Sequence, residues 1–437
     1  MRTPRTHRTP RTARPPRRKR PGFLLPLLLL APLALLVFRP VPRKGVAGAS
    51  DGGGGDLYAD DAAHERAIRY NRQREWLSLF GTLYGALINA LALRTGLSAR
   101  LRDRAAAVAP ARLGPVMPYT LVSSLLSSLA TLPLAYYSGW VVERRYDLTN
   151  QTRRAWLGET LKGEALGLAL GLPLAQGVYA VIRRYPRGWW AILAALAIPF
   201  TIVLSILAPV LILPLFNTFE PIRDRALAER IKALAAAQGV TVSDVLQMDM
   251  SKQTKKANAF FTGLGGTKRI VLADTLLDEF TQEEVEVVLA HELGHQVGGD
   301  IWKLIGLGAL TTALTAGAVD RLARPIIARV GARLGLDPAR GLGDVAALPL
   351  LALLLSAISL ALAPLQNAIS RNLIEHPADR YALDLTRDPA AFVGAMEKLG
   401  RLNLADPQPP AIVKWLLYGH PTLQERVDYG RSWRAEG

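Results

Sequence analysis

The sequence predicts a mainly α-helical integral membrane protein of about seven transmembrane helices, joined to a small α+β domain that carries a short sheet. Three observations predict it. Half of the 437 residues are hydrophobic, only 20% are charged and the mean hydropathy is positive, the balance of a membrane protein with polar connecting segments. Apolar runs recur along the chain, each near the roughly 20 residues that cross a bilayer as a helix. One long polar segment, residues 216–300, interrupts the series and combines helical patterns with short β-rich pieces.

In chain order, residues 1–21 form a Pro/Arg/Thr-rich basic tail without apolar period and read as disordered. Residues 23–38, FLLPLLLLAPLALLVF, have the length of a short first span or of a signal-peptide core cleaved after the A-x-A of Ala47 and Ala49. Counted as a span, this run opens an N-terminal membrane domain over 22–215 with about five spans. A Gly/Asp-rich linker covers 48–56 and a charged amphipathic stretch covers 62–75. The next runs fall at Trp76–Leu93, Pro118–Val142, Gly163–Ile182 and Trp189–Leu213, with Pro133, Pro173 and Pro209 as expected kink sites. The second half, 216–437, includes two further spans at about 301–319 and 345–365. Trp189, Trp190 and Trp302 stand at run ends, where an amphipathic ring suits the headgroup level.

Within 216–300 a helix is expected at Arg223–Gln238, ended by Gly239. Strands are expected at Val240–Val242, Val245–Met250, Ala259–Phe261 and Ile270–Leu272, with GLGG at 263–266 as the turn between the last two. Then comes TQEEVEVVLAHELGH. Thr281 and Glu284 have capping-box spacing, and Val285, Val288 and Leu289 give an apolar stripe. On this helix His291 and His295 stand at i and i+4 and project from one face. Two imidazoles so placed can hold one zinc ion, and Glu292 is close enough to take a proton from an attacking water. The pentapeptide HELGH therefore reads as a metallopeptidase site with one zinc per subunit. Cys is absent, so the ligands must be His, Asp or Glu.

Net charge of +17 concentrates in the N-terminal tail and around the apolar runs. That distribution fits contact with membrane lipid and, without a recognised nucleic-acid motif, excludes nucleic acid as the expected partner. The tail and loops 94–116, 183–188 and 321–344 carry more Lys and Arg than loops 39–75 and 143–162. The positive-inside rule then puts the HELGH side outside the cytosol.

A catalytic zinc takes three protein ligands. Gly298 matches the H-E-x-x-H-x-x-G-x-x-H pattern, but Ile301 occupies its final His position, so the third ligand comes from further along. Glu375, on a polar helix just after the last span, is the choice, and Asp379 one turn on is placed to fix a ligand-His tautomer. The alternative from spacing alone is an ordinary solvated helix face.

The motifs LPLAYYSGWVVERRYDLTNQT (132–152), PLFNTFEPI (214–222), ANAFFTGLGGTKRIVLADTLL (257–277), HELGH, EHPAD (375–379) and HPTLQER (420–426) together resemble the CAAX prenyl protease 1 family. The likeness covers nearly the whole chain after residue 60. It implies a zincin-like catalytic domain, a chamber enclosed by the spans, and Glu375 as third ligand. It also implies Asn258 and Ala259 in a substrate-aligning edge strand, His420 as donor to the oxyanion, and Arg426 beside it as a substrate-site group. The eukaryotic members face the cytosol, against the charge count here. Three departures stand out: Ser370 and Arg371 precede Glu375 by one residue more than the family pattern, Pro377 lies inside EHPAD, and Asp147 replaces a common Gly.

The expected function is hydrolysis of peptide bonds in membrane-associated or lipid-modified polypeptides, in the manner of CAAX-protein processing. The Ala/Arg/Leu-rich composition suggests a bacterium, where prenylated proteins are not expected. One alternative is an intramembrane site-2-type metalloprotease, with HELGH inside a span. The other is a non-catalytic membrane scaffold or transporter. Oligomeric state is not legible in the sequence.

Overall fold

The computed structural model describes residues 57–434 apart from 59, 111–113 and 266–267. The basic tail, the 23–38 run and most of the linker lie outside the described residues. Six helices among those described are long and apolar enough to cross a membrane. They are α1 (Asp61–Arg94), α3 (Val116–Arg145), α4 (Arg153–Arg184), α5 (Trp189–Leu215), α9 (Asp300–Val330) and the composite formed by α10 (Leu348–Ser370), a π turn at Arg371–Glu375 and α11 (His376–Thr386). A shorter α2 (Leu97–Val108) joins the first two.

Every apolar run expected beyond residue 75 is a helix, and most are longer than the run. The charged stretch 62–75 is the first part of α1 itself, capped by Asp60, whose side chain accepts from the Ala62 amide. The spans bury only 0 to 33% of their apolar windows. Apolar surface left this bare is what helices present to lipid, rather than packing into a solid bundle. Pro133 and Pro173 sit inside α3 and α4, and Pro209 lies in a π turn at Ala208–Ile212 within α5. A missing amide N–H is absorbed there by a local change of helix type.

Between α5 and α9 lies the polar insertion. Its elements are β1 (Phe219–Pro221), α6 (Arg225–Ala237), β2 (Asp244–Met248), β3 (Ala259–Thr262), β4 (Arg269–Ala273), α7 (Asp274–Glu279) and α8 (Gln282–Val297). The sheet order is β1-β2-β4-β3, with β2 and β4 parallel and the outer pairs antiparallel. Central β4 buries Ile270, Val271, Leu272 and Ala273, a continuous apolar run as expected of a strand covered on both faces.

Val240–Val242 is not a strand. Gly239 adopts φ +73°, the Val240 amide bonds to the Ala235 carbonyl and the Gly239 amide to Ala236, a Schellman closure of α6. The Val240 amide is spent on the helix end, so no ladder starts there. The three-residue β1 was not expected; its Pro221 is tolerated because β1 is an edge.

After α11 the chain ends in α12 (Pro389–Leu402), α13 (Ala411–Leu417) and α14 (Leu423–Ser432). The main core joins both ends of the described chain: Leu57, Tyr58, Ala67 and Tyr70 share it with β4, α8 and α12.

Candidate metal centre

Helix α8 begins with the expected capping box, in which Thr281 Oγ1 accepts from the Glu284 amide and the Glu284 carboxylate accepts from the Thr281 amide. Val285, Val288 and Leu289 are 2%, 7% and 2% exposed, so the apolar stripe anchors the helix and fixes which face carries the histidines. Gly294 has a packing reason. A Cβ there would stand 3.1 Å from the Ala378 Cα and 3.2 Å from the Tyr381 Cβ, so the absent side chain lets α11 lie directly on α8.

That approach brings Glu375 to the two histidines. His291 Nε2 lies 3.2 Å from His295 Nε2, and Glu375 Oε2 lies 3.6 Å and 4.0 Å from the two nitrogens. Ligands about 2.1 Å from a tetrahedral metal stand roughly 3.4 Å apart. The other ring nitrogens are committed. His291 Nδ1 donates to Asp379 Oδ1 at 2.9 Å and His295 Nδ1 to Asp300 Oδ2 at 2.8 Å, which turns both Nε2 lone pairs to the centre. Glu375 Oε2 is buried without a hydrogen-bond partner. Three acceptor atoms converging on one point, one of them orphaned, make an arrangement that a cation satisfies. Among the described residues this is the group of His and carboxylates that could hold a metal.

In the metal-free protein, burial and the nearby Arg426 oppose a proton on His291. The Asp379 and Glu375 carboxylates outweigh them and raise its pKa to about 9. His420 Nε2 lies 3.2 Å from Glu375 Oε1 at the open side of the cluster. Loss of water around it lowers its pKa, against the pull of Glu375. Glu292 is half-buried beside His291 on α8.

Asn258 is exposed, and its carbonyl accepts from the Ala273 amide at 3.0 Å. Ala259, paired with Leu272, opens β3, which is the sheet edge that packs on α8. Arg426 is placed differently from the expectation of a substrate-binding group. It is 8% exposed and its Nε donates to Asp379 Oδ2 at 2.9 Å, with a further short bond from Nη2 to Oδ1. A buried Asp379 needs a counter-charge, and Arg426 supplies it from behind His291.

Sequence reasoning missed Asp300. The left-handed Gly299, φ +66°, ends α8 and turns the chain so that Asp300 points back; Lys303 Nζ holds its other oxygen at 2.7 Å. The signal was the Gly298-Gly299-Asp300 step after HELGH. Gly298 leaves the space that the Asp300 carboxylate fills, with a Cβ there 3.2 Å from Oδ1.

The departures from the family pattern have local explanations. The additional residue before Glu375 coincides with the π turn at Arg371–Glu375, and a π turn takes up one residue without rotating the helix beyond it. Pro377 directly follows that π turn, where the local change of helix type accommodates its missing N–H. Asp147 has φ +54°, the left-handed region that glycine occupies without strain, and its carboxylate pairs with Lys255 at 2.7 Å.

Comparison with known proteins fits this geometry. The family model described as CAAX prenyl protease N-terminal, five membrane helices, matches residues 57–218, and that of peptidase family M48 matches 221–434. An uncharacterized metalloprotease of Bacillus subtilis, YhfN, is 31% identical over 84% of this chain and 85% of its own length. The chain belongs to peptidase family M48. Among further relatives of this M48 peptidase, CAAX prenyl protease 1 of Saccharomyces cerevisiae is 32% identical over 58% of this chain and 59% of that enzyme. The crystal structure of Ste24p from S. mikatae matches with a TM-score of 0.72 at 26% identity, covering 84% of this chain and 88% of that one. The M48 peptidase is thus a multi-pass membrane metalloprotease with the chamber fold of Ste24p. HELGH lies in α8, outside the six spans, whereas a site-2-type enzyme requires the motif within one.

Proposed function

We propose that the protein is a zinc metalloendopeptidase that cleaves membrane-associated or lipid-modified polypeptides at the centre formed by His291, His295 and Glu375. The observation that carries the reading is the convergence of those three ligand atoms, with Glu375 Oε2 buried and unpartnered. When bound there, zinc supplies Lewis-acid polarisation of the scissile carbonyl and of the attacking water. Glu292 is the general base: it takes the proton from that water and returns it to the leaving amine. His420, on the open side next to Glu375, donates to the developing oxyanion. Asp379 and Asp300 fix the tautomers of the two histidines.

The outer edge of β3 offers backbone groups to an extended peptide, with Asn258 and Ala259 at its start. Such pairing would hold the scissile bond beside α8. The yeast relative's name, CAAX prenyl protease 1, gives the substrate class its most specific form, a lipid-modified C-terminal peptide. The membrane half, 22–215, would hold such a substrate for the peptidase half, 216–437.

Glu292→Gln tests the reading. Proteolysis of a membrane-bound reporter should fall by about 10²–10⁴-fold while zinc per chain stays unchanged; near-wild-type cleavage would remove Glu292 as base. Comparing membrane proteomes of cells carrying wild type and this variant then identifies the substrate.

A further inference from the structure

The end of the membrane bundle remote from HELGH holds a cavity of about 820 Å³. It is walled by the last turns of α4 and α9 and by the loop before α10, and Arg183, Arg324 and Arg340 reach it from those three elements. The remaining described lining is apolar or backbone, including Ile182, Ile327 and Leu342, and no carboxylate lines it among the described residues.

The three arginines differ in what already holds them. Arg324 is neutralised by Asp320, with Nε and Nη2 donating at 2.9 Å and 2.7 Å, and Asp320 is itself pinned by Trp189 Nε1 at 2.7 Å. This pair is a rigid wall. Arg183 rests on the Gly343 carbonyl at 3.1 Å and lies over the Tyr179 ring, neither of which cancels its charge. Arg340 meets Asp337 at 3.1 Å, but the two side chains are 61% and 39% exposed, and an ion pair so open contributes little. Two cationic groups therefore face a cleft with an apolar floor.

Its position selects the ligand. Arg183 ends a span, Tyr185 beside it is exposed, and Trp190 packs at Gly317 of α9, an aromatic level typical of the bilayer interface. The surrounding segments 94–116, 183–188 and 320–344 hold thirteen arginines and four aspartates, with no lysine or glutamate. Arginine is the residue suited to forked contacts with phosphate oxygens. We propose that this cavity binds the phosphate of an anionic glycerophospholipid, with Arg183 and Arg340 on the headgroup and Ile182, Ile327 and Leu342 against its glycerol and upper acyl carbons. A soluble phosphate shares the anion chemistry but makes no use of the apolar floor.

The test uses the full chain reconstituted in bilayers of equal parts phosphatidylglycerol and phosphatidylcholine, then released for native mass spectrometry. Wild type should retain phosphatidylglycerol in preference to phosphatidylcholine. Arg183→Gln and Arg340→Gln should each lower that preference about fivefold. Ala339→Glu, which adds an anion to the lining and keeps all three arginines, should abolish it. Arg329→Gln, an exposed arginine at the same end outside the cavity, should leave it intact. Retention in the ratio of the mixture overturns the site, as does an Arg329→Gln effect equal to that of the lining variants. Displacement of the lipid by inorganic phosphate overturns the lipid in favour of a soluble anion.

Discussion

Asp379 and Asp300 act, at the residue scale, on the two histidines of the proposed metal centre. Each accepts from the outward nitrogen of one histidine and is held by its own cation, Arg426 or Lys303. The Asp379 chain is buried throughout, so removing one member leaves a charge without a partner. Asp379→Asn and Arg426→Ala should each weaken zinc affinity by about 10–100-fold, measured against a chromophoric chelator. Unchanged affinity in both would reduce Arg426 to a packing residue.

Protonation of His291 gives a second residue-scale expectation. With a pKa raised to about 9 in the metal-free protein, His291 carries a proton at pH 7 that a metal must displace. Zinc uptake by the stripped protein should release about one proton from this site at pH 7. Affinity should weaken as pH falls and stop rising once pH exceeds about 9. Calorimetry in buffers of different ionisation enthalpy reads the proton directly.

At the element scale, the α8–α11 contact sets the site. Gly294 lets the two helices touch, and the π turn before α11 delivers Glu375 in phase with the histidines. Gly294→Ala must push the α11 backbone by a few tenths of an ångström. The expected result is a fall in zinc affinity together with a stability loss of about 1–3 kcal/mol, seen as a lower unfolding temperature; Gly294→Ser should behave alike. The capping box, the apolar stripe and the Gly239 stop were legible because each rests on neighbours within a few residues. The Schellman use of the Val240 amide and the three-residue β1 were not. They depend on which backbone groups a helix end or a distant strand has already claimed.

At the scale of the whole molecule, the described residues from Leu57 onward belong to a single unit. Leu57 and Tyr58, which precede the first described span, are buried against the C-terminal helices. The Leu57 amide donates to Gln424 Oε1 at 3.2 Å, and the Tyr58 hydroxyl reaches the Gly400 and Ala405 carbonyls at 2.9 Å. Further on, Glu143 at the end of α3 accepts from Tyr70 Oη at 2.7 Å and from Lys256 Nζ at 2.9 Å, just before β3. The spans therefore brace the strand that leads to the site. A fragment of residues 216–437 should accordingly fail to fold alone, giving no cooperative thermal transition and rapid proteolysis. Co-expression with residues 1–215 should restore the cooperative transition and the resistance to proteolysis.

The sequence by itself determined the apolar runs, the capped HELGH helix and the reaction class, because hydropathy, 3.6-residue period and cap chemistry are written in adjacent residues. It named Glu375 and Asp379 through spacing and family likeness, without showing how they reach HELGH. Only the tertiary structure decided that Gly294 admits α11, that a π turn takes up the additional residue, that Arg426 backs Asp379 rather than facing the cleft, and that Asp300 holds His295. Those outcomes are settled by atoms from helices far apart in the chain competing for the same few ångströms, and no local pattern carries that information.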